Sequence, residues 1–310
     1  MRALGNFTVR EWLRLLPLQH ALKQLRNDVW LAAYQRRRPK DFDAFTARNA
    51  GLRDRNVVLV IAFEQPWVLG WLLDMAARHL QDATVLVFDN SRQLALRRDI
   101  ERVCDARGVA YLGLPVNRTR HVNRSHGMAM SWVYANVVRA IAPRRFAFID
   151  HDLIPIEPVS LSERLGSQAF FGLPVLSPWA WQLWAGYCLF DFAQVGRLPM
   201  NFLYDFSQGL DTGGRNWHSL YRQHPRDALR FATSDMVAIR DPALEPPPRI
   251  QVIDDRWLHI GGISYNDNFR SKSELCERLA QSFAQGLTWP EIRGDAVEPD
   301  REPAPATPSR

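Results

Sequence analysis

Cysteine is scarce: the 310 residues hold three, Cys104, Cys188 and Cys276. They are far apart, form no Cys-x-x-Cys pair and have no histidine at zinc-ligand spacing, so neither a disulfide framework nor a structural zinc site is indicated. Long apolar runs are missing too. No stretch approaches the roughly 20 apolar residues that cross a bilayer, and the amino terminus lacks the short apolar region of a signal peptide, so a cytoplasmic location is expected. Glycine-rich phosphate cradles are absent as well. The first apolar run is followed by Glu64-Gln65-Pro66-Trp67, with no Gly-x-Gly-x-x-Gly and no Gly-Lys-Ser/Thr, so dinucleotide-binding and P-loop chemistry are disfavoured. Any phosphate on a ligand has to be neutralised in another way. No internal repeat or coiled coil indicates assembly.

Charge is present but unevenly spread. The formal net charge is +6, yet residues 1–55 alone hold 12 Lys or Arg against 5 Asp or Glu, and the other 255 residues sum to −1. From Glu11 to Arg38 this arm reads as two helical pieces broken at Pro17. Leu18, Leu22, Leu25, Val29 and Ala33 recur at helical spacing, with Arg26, Arg36, Arg37 and Arg38 outside the row. Two readings of this amphipathic basic helix stay open: its row packs on the main domain while the charges are solvated, or it docks peripherally on the anionic inner face of a membrane. Nucleic acid is disfavoured, because aromatic and basic residues do not interleave and the rest of the chain is not basic.

Beyond Asn56 the pattern alternates. Val57 to Phe63 is a continuous β-branched and apolar run of the kind found in central parallel strands. A helix from Pro66 to about His79, a strand at Val85–Phe88, a helix from Leu94 to Ala106 and a weaker strand from Val109 to Leu114 follow. Such alternation predicts an α/β fold with a mostly parallel sheet, helices on both faces and ligands at the carboxyl ends of the strands. Asp89, at one such end, either receives hydrogen bonds from a nucleoside or simply builds the Asp89-Asn90-Ser91 turn. The polar loop Asn117 to Gly127 carries Arg118, Arg120, His121, Asn123, Arg124 and His126 and leads into a helix from Met128 to Ile141, with Ser125 as its expected cap.

The stretch Phe146-Ala147-Phe148-Ile149-Asp150-His151-Asp152-Leu153-Ile154-Pro155 carries the chemistry. It reads as a buried strand that delivers Asp150 and Asp152 to its carboxyl end. Residues two apart in an extended chain share a side, so the pair makes a hard, oxygen-rich anionic site suited to Mn²⁺ or Mg²⁺ holding a diphosphate.

The order strand ending in Asp, helix, weak strand, Asn-x-x-x-Gly helix entry (Asn123, Gly127) and apolar strand ending in Asp-x-Asp resembles the nucleotide-sugar glycosyltransferases of the GT-A fold, near glycosyltransferase family 2. The resemblance covers about residues 56–158. It implies that Asp89 and Asn123 serve the nucleotide sugar, that Asp150 contacts the ribose or a metal-bound water, and that Asp152 ligates a metal bridging the diphosphate. It further implies His259, before Gly261 and Gly262, as a third metal ligand with Asp150 and Asp152, and Asp211 as the first candidate for general base, with Asp191 and Asp235 as rivals. The chain departs from the family at Glu64-Gln65 and lacks the Glu-Asp dipeptide in which inverting members often carry their base.

The expected organisation is therefore a basic arm (1–55), a GT-A domain (56–289) with a nucleotide-binding half (56–158) and an acceptor half (159–289), and a proline-rich, disordered tail (290–310). In the acceptor half, Trp184 and Tyr187 lie in a dense aromatic segment that suits either a sugar wall or plain packing. The implied activity is inverting, hexosyltransferase-like transfer from a nucleoside-diphosphate sugar to a glycan or lipid-linked glycan. The alternatives are a nucleotide-sugar-binding scaffold on an inactive GT-A fold, or a sugar nucleotidyltransferase. The latter normally has a glycine-rich, lysine-bearing loop after the first strand, which this chain lacks.

Overall fold

The computed structural model describes residues 2–240, 247–261 and 269–296. Helices α1 (Val9–Leu13), α2 (Leu16–Gln35) and α3 (Phe42–Arg48) precede the sheet. Then come β1 (Asn56–Ala62), α4 (Pro66–His79), β2 (Ala83–Asp89), α5 (Leu94–Asp105), β3 (Ala110–Gly113) and α6 (Val122–Val133). A π-helical turn and α7 (Arg139–Ile141) lead on to β4 (Arg145–Asp150) and β5 (Leu153–Pro155). After α8 (Leu161–Leu165) the chain forms β6 (Phe170–Leu176), β7 (Trp181–Asp191), α9 (Phe192–Val195) and α10 (Asn216–Ser219). The last elements are β8 (Ser234–Ile239), β9 (Arg249–Ile253), β10 (Trp257–His259), α11 (Phe269–Ala284), α12 (Trp289–Ile292) and β11 (Arg293–Ala296).

Two sheets result. The first has the order β3-β2-β1-β4-β7-β6, with β3, β2, β1 and β4 parallel and β7 running against both β4 and β6. The second is antiparallel, in the order β11-β8-β9-β10-β5. The continuous apolar run of β1 has its cause in this arrangement, because both faces of the central sheet are covered. Val57, Leu59 and Ile61 pack on one side with Met130 and Val133 of α6, while Val58, Val60 and Ala62 pack on the other with Leu69 and Leu72 of α4. All three cysteines are buried.

The chain changes sheet at His151. β4 ends at Asp150 in the first sheet, His151 and Asp152 form a turn, and β5 begins at Leu153 in the second. The single strand expected through Pro155 is thus two strands, and the carboxylate pair sits at the seam between sheets. Residues 249–259 likewise form two strands, β9 and β10, divided at a turn where Asp254 and Asp255 both have positive φ, as hairpin turns of the primed type require. Residues 290–296 lie in a helical turn and an edge strand rather than in a structureless tail; residues 297–310 lie outside the described residues. The aromatic segment of the acceptor half is a long strand, β7, whose Trp181 packs among Phe170, Tyr221 and Phe231.

Of the two readings of the arm, the one that packs its apolar row on the main domain fails. Leu15, with φ 52, breaks the helix, and Pro17 sits within the first turn of α2, where a missing N–H costs nothing. α2 packs through Leu31 and Tyr34 and through hydrogen bonds: Asn27 to the Tyr204 hydroxyl (3.1 Å), Gln24 to Asp205 (2.9 Å) and Tyr34 to the Pro115 carbonyl (3.0 Å). The row Leu18, Leu22, Leu25 and Val29 faces solvent. Among the described residues no helix is long and apolar enough to cross a membrane.

Candidate functional site

Parallel strands β1, β2 and β4 end on one rim, and helix α6 begins there. α6 starts at Val122, earlier than expected, with His121 rather than Ser125 as its cap; the His121 side chain accepts from the Arg124 N–H. Ser125 lies inside the helix, where its hydroxyl accepts a hydrogen bond from Asn90 (3.0 Å). Starting one turn sooner places Asn123 and His126, three residues apart, toward the seam. Gly127 permits the packing: a Cβ there would lie 2.4 Å from the Phe202 carbonyl oxygen.

Four side chains meet at the seam as two pairs. His126 Nε2 lies 3.4 Å from Asp150 Oδ1, and His259 Nε2 lies 3.9 Å from Asp152 Oδ2. His259 Nδ1 is 2.5 Å from Gln251 Oε1. Because the amide oxygen only accepts, Nδ1 is the donor in this contact, and the bond fixes the ring with Nε2 on the Asp152 side. Burial, followed by the nearby Asp152 charge, pushes the Asp150 carboxyl up to about 6. Burial drives His126 down to about 4, against the opposing pull of Asp152 and Asp211, so its imidazole is neutral at pH 7. Gly186 closes this side, since a Cβ there would meet the Trp184 ring at 2.3 Å and Asp150 Oδ2 at 2.6 Å.

Asp211 stands across from the start of α6. Its Oδ1 accepts from Asn123 Nδ2 and from the Thr212 N–H (2.7 Å), and the residue is exposed. Two expected candidates are thereby brought together. Trp184 is half-buried and meets the His259 ring edge-on at 4.7 Å.

Other expectations fail on position. Asp89 is fully buried; it accepts from the Ser91 N–H (2.7 Å) and the Tyr111 hydroxyl (3.0 Å), so it builds the turn instead of facing a ligand. Tyr187 is 1% exposed and donates its hydroxyl to Asp254 (3.0 Å), which removes it from any acceptor wall. Asp191 caps α9 and pairs with Arg145, at the opposite end of β4 from Asp150. Asp235 is exposed on β8. Gly262 lies outside the described residues.

A cleft of about 220 Å³ opens beside the seam at the ends of β1 and β2, lined by Phe63, Glu64, Arg92, Arg120, Val122 and His126 among others. Glu64 holds a left-handed φ of 54 and receives the Arg92 N–H (3.1 Å) and Gln93 Nε2 (3.4 Å). The departure noted at this turn therefore tethers the segment that leads into α5. His126 and Gln251 were not singled out as ligand and orienting residue. The signal for His126 was its place one turn after Asn123, whereas Gln251 gave none.

Among the described residues no three His, Cys, Asp or Glu side chains gather closely enough to cage a metal. The triad Asp150, Asp152 and His259 is therefore not a closed site. The donor types still fit a hard dication: two carboxylates stand at the seam, and Gln251 holds His259 with Nε2 3.9 Å from Asp152 Oδ2. Mg²⁺ and Mn²⁺ sites commonly use one or two carboxylates and let substrate phosphates and water supply the rest.

No protein-family profile matches the chain, and no curated protein sequence does. Among solved structures it is similar to glucosyl-3-phosphoglycerate synthase from Mycobacterium tuberculosis in complex with Mn²⁺, uridine diphosphate and glucosyl-3-phosphoglycerate. The identity is 19%, covering 44% of this chain and 49% of that one, with a TM-score of 0.29. It is also similar to the mannosyltransferase PcManGT from Pyrobaculum calidifontis in complex with GDP-Man and Mn²⁺, at 14% identity, 56% and 52% coverage and TM-score 0.34. A third is the galactosyltransferase LgtC in complex with donor and acceptor sugar analogs, at 11% identity, 46% and 59% coverage and TM-score 0.33. The match spans roughly half the length of each of these structures.

Proposed function

We propose that the chain is a metal-dependent glycosyltransferase of the GT-A type, moving a sugar from a nucleoside-diphosphate sugar to a glycan or lipid-linked glycan. The observation that carries this reading is the seam: Asp150 and Asp152, paired with His126 and His259, stand where the carboxyl ends of parallel strands meet a second sheet. Asp152, His259 and Asp150 hold Mn²⁺ or Mg²⁺ together with the donor diphosphate. The bound cation offsets the charge that grows on the departing nucleoside diphosphate.

The chain's own residues do the remainder. The nucleoside lies in the cleft walled by Phe63 and His126, with Arg92 and Arg120 toward its phosphates. Trp184 offers a flat apolar face to the acceptor. Asp211, oriented by Asn123, takes the proton from the acceptor hydroxyl as that oxygen attacks the anomeric carbon, which gives inversion.

A second reading is a protein that binds nucleotide sugar without transferring it. A thermal-shift screen of UDP, GDP, CDP and dTDP, with and without Mn²⁺, tests both on the native protein and on Asp152→Ala. One nucleotide stabilising only with Mn²⁺ and only with Asp152 intact supports the donor site. Release of free nucleoside diphosphate from the sugar nucleotide in the presence of an acceptor pool then separates enzyme from binder. No shift with any nucleotide and Mn²⁺ removes the donor-site reading.

A further inference from the structure

Large apolar side chains are exposed in one place above all. Of the 18 such residues among the described ones, ten fall between Leu4 and Trp30. On α2 the row Leu18, Leu22, Leu25 and Val29 runs at spacings of four, three and four, each residue 55 to 62% exposed, on the side opposite buried Asn27, Leu31 and Tyr34. A face of this size costs solubility unless something covers it.

The charges beside the row identify the cover. Residues 1–40 hold nine Lys or Arg and two acids. Both acids are spent within the protein, Glu11 on Arg2 (2.6 Å) and Asp28 on Arg215. Among the described residues Arg10, Arg14, Lys23 and Arg36 have no acidic partner. Arg26 lies over the Trp30 ring at 4.8 Å, on the flank of the row. On the protein-facing side of α2 a cavity of about 250 Å³ holds Lys23, Arg26 and Arg124 among its lining, so two cations of the helix border it on the side away from the row. Apolar row, cationic flanks and tryptophans at the edge form the pattern of a helix lying in a headgroup interface.

We propose that this face of the arm docks on an anionic lipid bilayer, with the leucine row at the acyl boundary and the flanking cations on headgroup phosphates. A second copy of the chain fits less well. Pairing two such arms would bring cationic flanks together, and four residues over two heptads fall short of a stable coiled coil. The proposal is independent of the catalytic reading, since none of its residues belongs to the seam.

Flotation of the full chain with vesicles tests it, using phosphatidylcholine alone and phosphatidylcholine with about 30 mol% phosphatidylglycerol. The native protein floats with the anionic vesicles only, and high salt weakens the binding. Leu18→Gln/Leu22→Gln/Leu25→Gln lowers the partition coefficient by about a hundredfold while its melting temperature stays within a few degrees of native. Lys23→Gln and Arg10→Gln each lower it by about fivefold. Native protein that stays with the soluble fraction, or a triple variant that floats as well as native, overturns the proposal. So does a concentration-dependent dimer in light scattering that the triple substitution abolishes, because the row is then covered by a second copy.

Discussion

Gly127→Ala sets two effects of opposite sign against each other. Inside a helix, alanine is favoured over glycine by about 1 kcal/mol, and Gly127 is the sixth residue of α6 with helical geometry. Against that, the new Cβ would stand 2.4 Å from the Phe202 carbonyl oxygen and 3.0 Å from its carbon. An approach that short must open by about 0.9 Å. The opposing carbonyl has little room to yield, because it accepts the Gly213 N–H at 2.7 Å. The helix cannot slide away either: Ser131 Oγ donates to the Gly127 carbonyl (2.6 Å) and accepts from the Phe202 N–H (2.9 Å). Overpacking against backbone costs about 3 kcal/mol, so the net loss is about 2 kcal/mol, or a melting temperature lower by about 4 °C. Gly51→Ala, with nothing within 4 Å of the added carbon, stays within about 0.5 kcal/mol of native. Chemical and thermal denaturation measure both. A Gly127→Ala protein as stable as native or more so would mean that helix propensity dominates, and the close packing of α6 on the Phe202 segment would be refuted. If the packing holds, displaced Asn123 and His126 also weaken any nucleotide-induced thermal shift.

Tyr187→Phe removes the hydroxyl that donates to Asp254, whose Oδ2 also lies 3.3 Å from Arg164 Nε; a loss of about 1–2 kcal/mol is expected by denaturant titration, with any nucleotide binding unchanged. Asp82 receives Asn56 Nδ2 (3.0 Å), the Ser160 hydroxyl (2.9 Å) and the N–H groups of Leu161 (2.8 Å) and Ser162 (3.0 Å). Partial burial raises its pKa, but the bonds from Ser162, Leu161 and Ser160 outweigh that and hold it below the ordinary value. Asp82→Ala therefore costs about 2 kcal/mol at pH 7, the bond count discounted for partial exposure. A lowered carboxylate stabilises above its unfolded pKa of about 3.9 and loses that contribution as pH falls through the folded value, so the deficit narrows below about pH 4. Asp191→Ala, which removes only the α9 cap bond to Gln194 (3.2 Å), costs about 1 kcal/mol and leaves catalysis intact; loss of activity at native stability would return Asp191 to the site. Gln251→Leu frees the His259 ring and weakens the Mn²⁺ response in titration by about tenfold.

Local pattern carried the first half of the chain. α4 runs from Pro66 to His79 as expected, because proline opens a helix and the apolar spacing is regular. β1 and the alternation after it announced a covered parallel sheet for the same local reasons. What pattern does not carry is direction and partner. β7 is buried on both faces, so its aromatic run shows no alternation, and nothing local tells that it runs against β4. That reversal alone sends Asp191 to the far end of the sheet and points Tyr187 at Asp254. For the arm, pattern left two readings open and could not choose between them. Its leucine row is as regular as any packed stripe, but the protein binds the opposite face through Asn27 and Tyr34, and helical spacing cannot say which face finds the core.

The change of sheet at His151 explains why the site is made of pairs. A strand continuing through Asp152 would keep both carboxylates on one row of one sheet, sharing the same neighbours. Instead β4 stops at Asp150, which meets His126 from α6, and the turn hands Asp152 to β5, whose partner β10 brings His259. The seam thus holds two carboxylates, Asp150 pushed up to about 6 by burial and then by the Asp152 charge, beside one imidazole that burial keeps neutral. Hydrogen bonds alone do not relieve that crowding, because His126 is too weak a base to carry a proton at pH 7. The turn between sheets is what brings two carboxylates and two imidazoles to one rim, each carboxylate facing its own histidine.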